Sequence, residues 1–186
     1  FILLSLFLPQ WYNNLVLIIG IFAFIDDLLG RVKIFNLSIE WGQLSRGIGM
    51  LLVMAVGYPI MGWSAILVAL MVQPLNISDM QPGSTCSVVL IMSVIVSLLM
   101  ILTGVQPISE LPAFYTPILI IAVCLGYAPL DYSGKIMLGE VGNHSFAIAL
   151  GITFYMLGGF WWTLIFFIIT TILIAFIRRN SLNRFL

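Results

Sequence analysis

The sequence predicts an all-α protein, a polytopic integral membrane helical bundle of about seven full spans plus a partial N-terminal one. Three observations predict it. Of 186 residues, 62% are hydrophobic and only 8% charged, where a soluble domain carries about 25% charged residues. Mean hydropathy is +1.18. The apolar residues also fall into runs separated by turn residues, and these approach the roughly 20 residues that a helix needs to cross a bilayer. A formal net charge of zero gives no electrostatic footprint for nucleic acid. Cys86 and Cys124 both sit in apolar runs and read as packed thiols, not as a disulfide or a metal-binding cluster.

Phe1–Leu8 is apolar but too short to span, so it reads as the tail of a helix, and residues 1–186 read as one transmembrane domain lacking earlier helices. Trp11 and Tyr12 suit an interfacial position, and the span from Trp11 to Ile25 ends on Asp26-Asp27. Residues 28–43 are polar, with Arg31, Lys33, Glu40 and Gln43. Leu44 to Val56 spans, Gly57-Tyr58-Pro59 breaks it, and Ile60 to Leu75 returns. Both are short and would need a thinned bilayer. Ser84 to Thr103 crosses next, a short loop holds Pro107 and Glu110, and Leu111 to Tyr127 comes back. A loop from Pro129 to Asn143 follows. The last spans are His144 to Leu157 and Phe160 to Ile177, turned at Gly158-Gly159.

This crossing count places all seven Lys and Arg residues on one side, namely Arg31, Lys33, Arg46, Lys135, Arg178, Arg179 and Arg184. The positive-inside rule makes that side cytoplasmic, and a multi-pass protein of the plasma membrane follows. Six of the seven acidic residues share it, Glu110 being the exception. Asp26, Asp27, Asp79 and Glu140 thus converge on one face from three loops.

A carboxylate at the edge of hydrocarbon costs about 2–3 kcal/mol if it faces lipid, so such groups usually face a polar cavity or a cation. Taken alone, Asp26-Asp27 could simply mark where a helix leaves the membrane. With Asp79 and Glu140 beside them they suit Mg²⁺, which takes oxygen ligands and fills its remaining positions with water and phosphate. Such a metal could clamp a pyrophosphate, and a neighbouring carboxylate could orient a phosphate nucleophile. Gly83 and the Gly139-Glu140-Val141-Gly142 stretch would let backbone approach a ligand. His144, the one histidine, reads as a packed or helix-start residue, and Trp161-Trp162 as an interfacial or lipid-facing pair. A cation transporter would need acidic residues at mid-membrane depth and ranks last.

With these residues in view, the chain resembles the polyprenyl-phosphate N-acetylhexosamine-1-phosphate transferases, relatives of the lipid I translocase. Phe24-Ile25-Asp26-Asp27-Leu28-Leu29-Gly30 is similar to the family's Asp-Asp motif. Asn76-Ile77-Ser78-Asp79-Met80-Gln81-Pro82-Gly83 is similar to its Asn-x-x-Asp motif. Lys135-Ile136-Met137-Leu138-Gly139-Glu140-Val141-Gly142-Asn143 is similar to its Leu-Gly-Asp-x-Gly-Ser/Asn loop. The chain departs where Glu140 replaces an Asp, where Met50 stands near a Lys position, and where a late histidine-rich loop is missing.

The resemblance implies a Mg²⁺-dependent transfer of N-acetylhexosamine 1-phosphate from a UDP-sugar to polyprenyl phosphate with release of UMP, for peptidoglycan or other cell-wall and surface-polysaccharide precursors. It implies Asp26 and Asp27 as catalytic residues. Asn76, Asp79, Gly83 and Asn143 would contact substrate, and Asp27, Asp79 and Glu140 would hold the metal. The alternative is a non-catalytic relative that binds a lipid phosphate or a partner enzyme, and a homodimer is left open.

Overall fold

A computed structural model describes residues 8–30, 32–34, 40–104 and 115–182. Residues 1–7, Arg31, 35–39, the loop with Pro107 and Glu110, and Arg184 lie outside the described residues. The elements in order are α1 (Gln10–Leu29), α2 (Trp41–Met61), α3 (Ser64–Leu70), α4 (Val72–Ser78), α5 (Ser84–Thr103), α6 (Tyr115–Tyr132), α7 (Gly139–Gly158) and α8 (Phe160–Leu182). Among the described residues the only extended pairing is one isolated bridge between Lys33 and Glu40.

Glycines with positive φ, a region that residues with a side chain rarely adopt, end or begin several helices. Gly30 (φ 45°) closes α1, its N–H donating to the Asp26 carbonyl at 2.7 Å. Asp26 and Asp27 therefore occupy the last turn of α1 and not the loop beyond it. Gly83 (φ 75°) and Gly104 (φ 60°) bracket α5, and Gly159 (φ 76°) turns α7 into α8, where the sequence placed that turn.

Prolines were weaker stops than the sequence suggested. α2 runs through Gly57-Tyr58-Pro59 to Met61 and turns at Gly62. Pro59 sits in the last turn, where its missing N–H costs a single intrahelical bond. Gly57 serves packing instead, since a Cβ there would lie 2.9 Å from Met61 Cε and 3.3 Å from Ala65 Cβ. α6 likewise continues through Pro129 to Tyr132. Pro74 does break its helix: its ring opposes the carbonyl four residues back, and α3 gives way to α4 at Met71.

Among the described residues, five helices are long and apolar enough to cross a membrane: α1, α2, α5, α6 and α8 as far as Arg179. The seven full crossings of the sequence reading are thus supported only in part. Ser64–Ser78 is shorter than the roughly 20 residues a straight crossing needs. α7 is long but less apolar, and α1, α3, α4, α5, α6 and α8 all pack on it. Its residues from Asn143 to Phe154 form an unbroken buried run. Small side chains permit this close packing: a Cβ on Gly151 would meet Val68 Cα at 3.1 Å. Trp161 faces outward, while Trp162 stacks on Phe166. Cys86 and Cys124 are free, buried thiols.

The chain direction alternates through the bundle. Asp27, Asn76, Asp79 and Glu140 meet at one end, and Tyr155 bonds the Ile60 carbonyl at the other, at 3.1 Å.

Candidate functional site

The polar end of the bundle is built around Asp26, Arg46 and Glu140. Asp26, in the last turn of α1, is buried. It fits there because residue 42 on α2 is glycine, where a Cβ would fall 2.0 Å from Asp26 Oδ1. One turn along α2, Arg46 donates to Asp26 Oδ2 through Nε at 3.1 Å and Nη2 at 2.8 Å. The same Nη2 lies 3.2 Å from Glu140 Oε1. With its amide oriented by its neighbours, Asn76 donates to Glu140 Oε1 and Oε2 at 3.2 and 3.0 Å and accepts from Arg46 Nη1. His144, one turn after Glu140, places Nε2 2.8 Å from Glu140 Oε2. Four helices thereby contribute to one ionic cluster.

Asp27 is exposed and faces the start of α7, where its Oδ1 accepts the Glu140 N–H at 3.3 Å. An anion is favoured at that helix terminus by the unpaired N–H groups and the helix dipole. Gly139 turns into α7 at φ 67°, a backbone conformation that residues with a side chain rarely adopt. Asp79 follows α4 and accepts from Thr85 Oγ1 at 3.4 Å. Burial first, then the Asp131 and Glu140 carboxylates, push its pKa up to about 7 against hydrogen bonds from Thr85 and Gly139. Asp131 is buried with Oδ2 lacking a hydrogen-bond partner.

Two cavities adjoin this end. A polar one of about 320 Å³ is lined by Asp26, Asp27, Glu40, Gln43, Arg46 and Glu140. An apolar one of about 160 Å³ runs between α1, α6 and α7, from Tyr12 and Val16 past Ile120 and Val123 to Leu138 and Gly142.

The structure thus gathers Asp26, Asp27, Asn76, Asp79 and Glu140 at one end, but it does not group them as the sequence did. The ligand atoms within 4.8 Å of one another belong to Asp26, Glu140 and His144, the one such acidic, histidine or cysteine group among the described residues. Asp27 and Asp79, expected with Glu140 as metal ligands, are outside it. Gly83 lies against the Tyr132 ring, 2.5 Å from where its Cβ would be. Asn143 is wholly buried with neither amide atom hydrogen-bonded. Neither residue lines the polar cavity. The Gly139–Asn143 stretch is the opening of α7 and not a loop.

Sequence reasoning missed the contacts of Arg46 and His144. The signal for His144 was present, four residues from Glu140 and so on the same helix face. Arg46 gave none, because its target lies on another helix. Arg46 holds one oxygen each of Asp26 and Glu140, and among the described residues Asp27 and Asp79 are not grouped with Glu140 closely enough to share an ion, so in this arrangement the expected donor set does not fit Mg²⁺. No family model, curated protein or solved structure matches the chain.

Proposed function

We propose that the chain is a membrane transferase that moves N-acetylhexosamine 1-phosphate from a UDP-sugar to polyprenyl phosphate at the cytoplasmic face of the plasma membrane. The observation that carries this reading is one juxtaposition. Carboxylates from three separate segments converge on a polar cavity, and an apolar cavity between α7 and two helices long and apolar enough to cross a membrane, α1 and α6, ends beside the same turn of α7. A polar headgroup and a long apolar tail would need such a pair of environments side by side.

In the reaction, a phosphate oxygen of the lipid attacks the sugar-linked phosphorus of the UDP-sugar. The new P–O bond forms as the pyrophosphate P–O bond breaks, and UMP leaves with that bridging oxygen. Asp27, exposed in the polar cavity, would orient the attacking phosphate, which enzymes achieve chiefly by positioning. Asp26 holds Arg46 in place, and Arg46 would offset the repulsion between the carboxylates and the incoming pyrophosphate. Mg²⁺ belongs to this reading only with Arg46 displaced, and no step is routed through it.

The ion pairs of Arg46 favour a second reading. A cluster neutralised internally could hold a lipid phosphate or a partner enzyme without turnover. The test is UMP release by the purified chain from UDP-N-acetylhexosamine and polyprenyl phosphate, with Asp27→Asn and Asp79→Asn alongside. Loss of at least about a hundredfold in both variants is expected, the scale of a misplaced catalytic group. A wild type that releases no UMP yet still binds polyprenyl phosphate would establish the second reading.

A further inference from the structure

The connection between α6 and α7 lies at the polar end of the bundle, yet the proposed chemistry does not use it. From Tyr132 to Leu138 its one charged residue is Lys135. Its large side chains are open, Tyr132 being 55%, Ile136 53% and Met137 44% exposed. Clustered exposed apolar groups mark a contact with protein or membrane. The geometry points to an interfacial anchor: the connection folds back along α6, so that Ile136 and Met137 enter the leaflet at that end of the bundle and Lys135 meets the phosphates of anionic glycerophospholipids. Its readouts are depth and lipid contact, and it does not rest on the transferase reading.

Three features carry the inference. The first is the path of the backbone. α6 is long and apolar enough to cross a membrane as far as Tyr132. The Gly134 N–H then donates to the Asp131 carbonyl at 2.9 Å and the Lys135 N–H to that of Leu130 at 3.2 Å, while the Met137 carbonyl accepts from the Tyr127 hydroxyl. As the chain runs forward, its partners step back along α6, by about 6 Å at a rise of 1.5 Å per residue. A helical side chain leans toward the N-terminus of its helix, which for Tyr127 is the opposite end of the bundle. Met137 is thereby drawn level with the crossing segment and not beyond it.

The second is how the connection is held. At its start the Tyr132 ring lies on Gly83, and the Tyr132 hydroxyl shares a 2.7 Å hydrogen bond with Ser87 of α5. A tyrosine with its ring on apolar surface and its hydroxyl bonded suits the membrane–water boundary. At its end Leu138 turns inward and lines the apolar cavity between α1, α6 and α7. Both ends are fixed to the bundle, and Ile136 and Met137 are left exposed between them.

The third is continuity and charge. The patch adjoins Leu130, which with Leu125 belongs to the exposed apolar surface of α6, so the lipid that covers α6 also reaches Ile136. Lys135 is exposed, and a lysine there can lay its stem along apolar side chains while its ammonium stays among headgroups. An anionic leaflet attracts such a charge. No acidic residue lies between Tyr132 and Leu138 to offset it, and the preceding Asp131 is buried.

The experiment measures depth in nanodiscs made with or without anionic phospholipid. Ile136→Cys, Met137→Cys and, at the tip of the turn, Ser133→Cys each carry a nitrobenzoxadiazole label. Cys86 and Cys124 are buried, so the wild type serves as the labelling blank. Dithionite should reduce the label at 136 and 137 at least about tenfold more slowly than at 133, since burying one large apolar side chain is worth that much. Lipid carrying a nitroxide on its upper acyl chain should quench both. Adding Lys135→Gln to Ile136→Cys should speed reduction about fivefold in anionic nanodiscs, the factor that one lysine near such a leaflet supplies, and leave it unchanged in zwitterionic ones. Equal reduction at 133, 136 and 137 overturns the inference. So does protection at 136 and 137 without nitroxide quenching, which would put protein, such as a second copy of the chain, over the patch. A Lys135→Gln variant that behaves alike in both lipids overturns the phosphate contact.

Discussion

α7 and α8 are joined by a single glycine and are similar in length, yet they solve opposite problems. α8 is strongly apolar, with a mean hydropathy of 2.4 over its crossing window, but only 22% of that window is buried within the protein. Trp161, Ile165, Ile172 and Phe176 point outward. α7 carries Glu140, Asn143, His144 and Ser145 and is enclosed by six other helices. Lipid is as apolar as leucine, so hydrophobicity does not drive a helix to the centre of a membrane bundle; close packing and polar contacts do. The helices also differ in how their polar groups are satisfied. Thr170 and Thr171 of α8 donate to carbonyls of their own helix, four residues back, at 2.7 and 2.9 Å, and Thr163 to that of Gly159 just before it at 2.8 Å. Asn143 and Ser145 of α7 have no such bond. α8 is complete in itself, whereas α7 presents unmet polar groups near the site.

The largest effect that would break this comparison concerns packing. A Cβ at Gly151 would already stand 3.1 Å from Val68 Cα and 3.3 Å from Val68 Cγ1, so Gly151→Val forces α3 away from α7. Overpacking of this kind costs about 1–3 kcal/mol and should lower the thermal transition of the detergent-solubilised protein. On α8, Ile172→Ala should change stability by less than about 0.5 kcal/mol, because Ile172 is 62% exposed. Similar losses from both substitutions would show that α7 is not the packing centre.

The same contrast explains what was legible in the sequence. Apolar runs and terminal glycines mark α5, α8 and the α7–α8 turn because each is a local signal. Pro59 and Pro129 misled because a proline in a last helical turn forfeits one hydrogen bond without ending the helix. The shared face of Asp26, Asp27, Asp79 and Glu140 followed from crossing parity alone. Which of them touch did not, because that depends on how α2 is rotated about its axis. Gly42 and Gly49 decide this by admitting Asp26 and Phe22 against the α2 backbone, and so aim Arg46 at Asp26 and Glu140. Periodicity carries no information about that rotation relative to another helix.

A smaller effect would sharpen the comparison at Asn143. Both of its amide atoms are buried and without hydrogen bonds. Replacing an unsatisfied polar group with an apolar one of similar shape is nearly neutral or stabilising, because the desolvation penalty of about 1–3 kcal/mol disappears. Asn143→Leu should therefore raise the thermal midpoint of the ligand-free protein. A clear fall would mean that Asn143 is satisfied by a group or water whose removal costs stability.

The smallest effect is electrostatic and compares the charges of the two helices at the polar end. Asp79 has its pKa pushed up to about 7, first by burial and then by the Asp131 and Glu140 carboxylates. Because this lies above the ordinary value of 3.8, protonated Asp79 contributes stability that is fully present below about pH 4 and lost as pH rises through 7. Glu140→Gln removes one of the two repelling carboxylates, so the Asp79 pKa should fall, and the loss of stability should be complete at lower pH and be smaller. It should remain above 3.8, because burial and Asp131 are untouched. On α8, Arg179→Gln should leave the titration where it was, since no Arg179 charge enters the causes of the shift. Isotope-edited infrared titration of the aspartate carbonyl band, in chelator to keep the protein metal-free, would follow both variants. An Asp79 transition moved equally by Glu140→Gln and Arg179→Gln would mean that α8 contributes charge to the site as α7 does. An Asp79 transition unmoved by Glu140→Gln would mean that the Glu140 carboxylate is already neutralised by Arg46 and His144. That outcome would tie the titration of Asp79 to the ion pairs of Arg46, and adding Arg46→Gln to the wild type should then raise the Asp79 pKa further.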